Sequence, residues 1–378
     1  MTDLGHVALG SWSGGRFMHF GEALDDERYL ALIRPGEDIH TVVTADVYGQ
    51  GAADSAVGRA LQGLPRSSYA LVGMIGHDFY RGERAGSKGF PRFTDPQLRA
   101  PEKYADYLRM AAERSLERCG VDHFDLLMLH NPDRVGYSSP VVWEQGMARL
   151  KEEGLTRMLG VAPGPANGFT LDIIRCVERF GSLLDWAMII LNPFEPWPGR
   201  MVLPACVDQD VKVLARVVDY GGVFHDDLKA EGDLGATDHR AFRPDGWVAA
   251  ARERLERIRP IADRHGLTPL QLSCQWTLAQ DMVRSVVPTL IQEASPGAKS
   301  AEEQRADLAA VPREVVLTSD ELAEIAEVGD NTGCMALKGG SPAHTGPEAA
   351  DAWPLDDDLR RIADRWGITP ERDLVMAG

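Results

Sequence analysis

The sequence predicts a (β/α)8 TIM barrel with long βα loops and a C-terminal extension. Three observations lead there. Short, β-branched apolar runs recur along the chain. They are apolar nearly throughout rather than alternating, as strands buried on both faces of a parallel sheet are. Between them lie segments with apolar residues at three- and four-residue spacing, and this rhythm persists for about eight units over roughly 330 residues. A doubly wound open sheet is the second choice. The single parallel pattern continues too long, without a break in composition, to favour it.

The elements follow in order. LGHVALGSW supplies a first strand, and IHTVV (39–43), YALVGMI (69–75), FDLLMLH (124–130) and TRMLGVA (156–162) supply the next four. WAMIILN (186–192), VKVLARV (211–217) and VRSVVPT (283–289) complete the set. Helices are predicted at 52–64, 102–120 and 141–154, the last two ending in a glycine suited to a C-terminal cap. ERLERIRPIADRHG and LQLSCQWTLAQ are two more, and Pro260 is expected to end or kink the first. Residues 77–101 and 219–246 are long connections after strands, where a barrel carries its active site. Residues 1–330 form the barrel domain. Residues 331–378, Gly/Pro-rich and then amphipathic, form an extension expected to pack on or near the barrel mouth.

Composition narrows the function classes. The 378 residues are 44% apolar, ample for a core, and the formal net charge is −17. Such a surface repels phosphate backbones and anionic lipid heads, so neither nucleic acid nor membrane is an expected partner. The cysteines are sparse and contain no C-x-x-C pair, which excludes a disulfide or zinc framework. The N-terminus lacks a basic segment followed by an apolar one, and no run is long enough to span a membrane. A cytoplasmic protein acting on a small molecule is expected.

Polar groups collect at the strand ends: Asp46 and Tyr48, His77 and Asp78, His130, Asn192 and Glu195, Arg216, and His225. In a barrel these ring one mouth. Tyrosine and histidine together make a general acid–base pair. Each residue alone is equally well read as a hydrogen-bonded structural group. The His–Asp runs carry no H-x-x-x-H or comparable ligand spacing, so no metal site is expected.

TADVYGQG (44–51), SLERCGVDHFDLLMLHNPD, LKEEGLTRMLGVA, LARV and PGAKSAEE occur in that order. Together they resemble the aldo-keto reductases, (β/α)8 enzymes that interconvert carbonyls and alcohols with NADP(H). The resemblance covers about residues 5–330. It implies that Tyr48 gives a proton to the carbonyl oxygen and that His130 orients the carbonyl. It also implies Lys299 and Ser300 at the 2′-phosphate of the cofactor. Several positions depart. Val43 stands where the family has an aspartate, and Gly73 or Met74 where it has a lysine. Ala162 and Pro163 replace the pair that holds the nicotinamide amide, Met188 replaces a glutamine, and Leu191 replaces the stacking tyrosine. The family's later Gln and Asn correspond to Glu303 and Asp307. Without the lysine, Tyr48 loses the charge that lowers its pKa, unless Arg84, Lys88 or Arg216 replaces it.

Three functions follow. The first is an oxidoreductase acting on a small polar carbonyl or hydroxyl compound, sugar-like by resemblance. The second is a lyase, isomerase or hydrolase that uses Tyr48, His130 and the nearby acids without NADP(H). The third is a non-catalytic binding protein, which predicts no buried titratable cluster at the mouth.

Overall fold

The computed structural model describes residues 3–85, 89–164, 169–229, 234, 238–243, 245–332 and 355–374. Eight strands form one parallel sheet in sequential order: β1 (Ala8–Gly10), β2 (Thr41–Val43), β3 (Ala70–Ile75), β4 (Phe124–His130), β5 (Thr156–Ala162), β6 (Trp186–Ile190), β7 (Lys212–Arg216) and β8 (Val283–Val287). A parallel bridge between Val7 and Val286 joins the last strand to the first. The sheet therefore closes, and the open-sheet alternative falls.

The uninterrupted apolar character of the strands now has its cause. Along β3, Ala70, Val72 and Met74 face the barrel interior, with Leu126, Met128, Trp186 and Met188 from other strands. The alternate residues Leu71 and Ile75 face outward into the layer under the helices. Period-two side-chain alternation between two apolar environments leaves no solvent face to mark. Gly73 sits among the outward positions, where a Cβ would stand 2.5 Å from the Phe124 ring.

The helices are α1 (Asp26–Ile33), α2 (Ala52–Leu61), α3 (Tyr104–Cys119), α4 (Arg134–Ser138), α5 (Ala148–Glu152), α6 (Thr170–Phe180), α7 (Leu203–Asp208), α8 (Trp247–His265), α9 (Pro269–Leu278), α10 (Ala301–Ala309), α11 (Ser319–Gly329), α12 (Asp357–Arg365) and α13 (Pro370–Asp373). Gly120 ends α3 in the left-handed conformation, φ 68°, and Gly154 takes φ 78° after α5, as their cap roles require. The segment Val141–Met147 is a π-helix running into α5. Pro260 does not end its helix. α8 continues five residues beyond it to His265, because one missing N–H is outweighed by the buried face carrying Leu255, Ile258, Ile261 and Ala262.

The described part of the extension docks on the barrel wall. Helix α12 packs against α6, where Arg175 reaches Asp356 (3.4 Å) and Asp358 (3.5 Å) and Glu178 accepts from Trp366 Nε1 (2.8 Å). Trp197, in the loop after β6, donates from Nε1 to the carbonyl of Asp373 at 2.6 Å. No helix among the described residues is long and apolar enough to cross a membrane.

Candidate active site

The cleft at the C-terminal end of the strands has about 870 Å³ of empty space, part of it open to solvent. Tyr48, His130 and Arg216 line it together, brought from the ends of β2, β4 and β7. The rest of its inner wall is largely apolar, with Trp12, Met74, Met188 and Val217. The Tyr48 ring meets the His130 ring edge-on, with centroids 5.7 Å apart at 88°. Trp12 packs edge-on against the other side of Tyr48, at 6.2 Å and 74°, and its Nε1 donates to Thr289 Oγ1 at 3.1 Å. Burial pushes the Tyr48 phenol up to about 12, and the nearby Arg216 charge opposes this.

Met74 and Gly73 point to opposite faces of β3. Met74 faces inward and lines the cleft, in the same apolar cluster as Val43. An aspartate at 43 facing a methionine at 74 would be a buried charge without a counter-ion, so the two replacements are mutually consistent. Of the three candidate cations, Arg216 is the one that lines the cleft. Arg84 is exposed and does not line it, and Lys88 lies outside the described residues. Leu191 is not over the cleft. It is fully buried in the layer beneath the helices, and Arg216 occupies the cleft side of that region.

His77 stands immediately behind His130, with ring centroids 5.0 Å apart at 62°. It is held between Arg92 (2.9 Å) and Asn131 (3.1 Å). Asp78 is fully buried and paired with Arg99, and it also accepts from the backbone N–H of Tyr80 and Arg81. Asn192 accepts the N–H groups of Phe194 (2.8 Å) and Glu195 (2.9 Å), which fixes the turn after β6. Glu195 pairs with Arg243 at 3.3 Å. His225 is buried, with Nε2 2.8 Å from the Thr289 carbonyl. These groups support the mouth rather than line it. Asp46 is fully buried with both carboxylate oxygens unpartnered among the described residues, and burial raises its carboxyl well above the usual range.

A buried hub lies beside it. Asp54 accepts from Thr44 Oγ1 (2.9 Å), Ser115 Oγ (2.7 Å) and Arg118 Nη2 (3.1 Å). Gly51 makes this possible: at φ 94° it has no Cβ, and one would stand 2.6 Å from Arg118 Nε. Thr44 of the TADVYGQG stretch and Ser115 and Arg118 of the S-L-x-R run thus meet at Asp54 behind the site. Sequence reasoning missed Asp54, because a lone aspartate in a helix carries no signal until its partners converge. It also missed Trp12, Arg240 and Arg243, although the last two fall within the long connection 219–246. Arg240 bridges Asp238 (2.7 Å) and Glu293, and Arg243 is stacked by Tyr220 and Trp247.

The site residues have the makings of an acid–base centre at the mouth of a (β/α)8 barrel. The Aldo/keto reductase family model matches residues 7–330, and the chain belongs to that family. It is 27% identical over 252 residues to a probable aldo-keto reductase 1 of Glycine max, a match covering 65% of this chain and 64% of that protein. It is 26% identical over 326 residues to an NADH-specific methylglyoxal reductase of Escherichia coli, covering 82% and 90%. A glycerol dehydrogenase from Gluconobacter oxydans has the same fold, with a TM-score of 0.65 at 21% identity, over 94% of this chain and 96% of that one.

A Klebsiella pneumoniae aldo/keto reductase solved with NADP and acetate also shares the fold, with a TM-score of 0.57 at 22% identity, covering 86% and 91%. The polar groups of Lys299 and Ser300 are already engaged within the chain. The Lys299 ammonium already pairs with Asp307 at 2.9 Å. Ser300 caps α10 in a reciprocal box with Glu303, whose carboxylate takes the Ser300 N–H at 2.7 Å. A phosphate there would meet a carboxylate and find its cation engaged. At the other end, Ala162 and Pro163 line the cleft without side-chain donors.

Proposed function

We propose that this protein is an oxidoreductase of the aldo/keto reductase type, acting on a small, polar carbonyl or hydroxyl compound. Tyr48 is the proton donor to the carbonyl oxygen, or the acceptor from the alcohol. His130, against its ring, orients that oxygen. Arg216 supplies a positive charge that opposes the upward push on Tyr48. The observation that carries this reading is the meeting of these three side chains, from three strands, in one apolar-walled cleft. A tyrosine held neutral can donate at ordinary pH, and a low-dielectric wall strengthens each polar contact with the reacting oxygen.

A second reading is acid–base chemistry without hydride transfer on the same groups. It is favoured by the donor-free Ala162 and Pro163 and by the Lys299–Asp307 pair. Calorimetric titration with NADH and with NADPH, each to millimolar concentration, separates the two. Binding of NADH, with reduction of a small aldehyde lost in Tyr48→Phe, supports the first. Binding of neither dinucleotide removes the first and leaves the second.

A further inference from the structure

Arg216 stands apart from the other arginines around the barrel mouth. Arg99, Arg118, Arg240 and Arg243 each pair with a buried carboxylate. Arg92 pairs with none, but its donors go to the carbonyls of Phe90 and Asn131 and to His77. Arg216 alone combines a place in the cleft lining with the lack of a carboxylate partner among the described residues.

Its guanidinium is nonetheless fixed. Nη2 donates to the carbonyl of Pro163 at 3.0 Å and to that of Gly164 at 2.7 Å. Nε and Nη1 have no hydrogen-bond partner among the described residues. Asp219, the one carboxylate among the described residues of the cleft lining, is committed elsewhere. It accepts the backbone N–H of Gly222 at 2.9 Å and of Thr289 at 2.8 Å. A cation held at the cleft by backbone carbonyls, with donors left over and no carboxylate partner among the described residues, is placed to take a ligand anion. The charge of the guanidinium, with Nε–H and Nη1–H each able to give one hydrogen bond, suits an anion such as a carboxylate.

We infer that Arg216 binds the carboxylate of the molecule processed at Tyr48 and His130, so that the substrate class is an oxo acid or hydroxy acid, sugar acids included. This rests on the proposed acid–base role of those two residues for the word substrate, while the anion subsite rests on Arg216 alone.

The test uses the full chain and binding as its readout. Saturation-transfer NMR and calorimetry at pH 7 compare D-gluconate with its neutral counterpart D-sorbitol, and glycolate with ethylene glycol. The wild type, Arg216→Lys and Arg216→Gln are compared. The expected result is that the acids bind the wild type more tightly than the neutral partners. Affinity for the acids falls roughly tenfold to a hundredfold in Arg216→Gln and by less in Arg216→Lys, while the weak binding of the neutral compounds stays within about threefold. Retention of the acid affinity in Arg216→Gln, or equal binding of acids and neutral partners by the wild type, overturns the inference. If the glutamine variant does not fold, the lysine variant and the wild-type acid–neutral comparison still decide it. Arg216-dependent acid binding without turnover under NADH or NADPH leaves the inference standing and removes the oxidoreductase reading. Turnover of neutral carbonyls with no acid binding does the reverse.

Discussion

The Tyr48 and His130 rings meet edge-on at 88°, with centroids 5.7 Å apart, inside a cleft that Arg216 also lines. The contact holds the phenol and the imidazole in fixed relation to one another. Tyr48→Phe keeps the ring and removes the proton. Its expected effect is a loss of roughly 10²–10⁴ in turnover, with the melting temperature unchanged. Steady-state kinetics beside thermal unfolding check this; full turnover in the phenylalanine variant would remove Tyr48 from the chemistry.

The ionisation of Tyr48 is directly observable. Its phenol is pushed up to about 12 by burial. A folded value raised above the unfolded one means that its contribution to stability is complete below the unfolded pKa of about 10 and is lost as pH rises through 12. Difference absorbance at 295 nm between the wild type and Tyr48→Phe should show a phenolate appearing near 12. One appearing near 10 or below would mean that Arg216 lowers the group as fully as a lysine would.

Asp46 gives a second pH dependence. Its carboxyl is fully buried, unpartnered among the described residues, and raised well above 3.8. Its stabilising neutral form is complete below the unfolded pKa and is lost as pH rises through the folded value. Asp46→Asn removes that loss. The variant is therefore expected to gain stability relative to the wild type as pH rises from 4 to 8, read by urea unfolding across that range. A gain that is constant with pH contradicts the assignment.

The Asp54 hub should behave as a structural unit. Arg118→Met leaves a fully buried carboxylate with only Thr44 and Ser115 as donors. Because Arg118 is one-fifth exposed, the loss should lie at the lower end of the range for a broken buried pair, about 3 kcal/mol. Asp54→Asn combined with Arg118→Met should recover part of it. Denaturant unfolding of the three variants measures the coupling.

Docking of α12 is testable separately. Trp366→Ala removes the 2.8 Å bond to Glu178 and the packing of a half-buried indole on α6. Amide exchange in α12 should accelerate while exchange in β3 and β4 does not change.

The sequence showed the barrel because buried parallel strands write themselves as unbroken apolar runs. β4 and β5 match their expected limits residue for residue. Pro260 does not end α8, because its cost is local while the buried face spans the whole helix. Tyr48 and His130 stood out through motifs, and the structure brings them into contact. Asp78, Asn192 and Glu195 looked similar on paper, yet each is consumed by a neighbour. Whether a polar strand-end residue is free or engaged depends on partners far away in sequence, as Glu195 and Arg243 illustrate, and local pattern carries none of that. Arg216 was one of several candidate cations until the cleft selected it.

The Thr44–Asp54–Ser115–Arg118 hub also bears on how such chains are recognised. Thr44, Ser115 and Arg118 fall within the stretches that resemble the family, yet no member of the hub lines the cleft. A signature of that kind is a maker's mark on the frame. It persists wherever folding is maintained, whatever the mouth of the barrel has come to do. Motif matching will therefore place together chains whose reactions have parted, and the inward-facing pair at 43 and 74 is the better place to sort them.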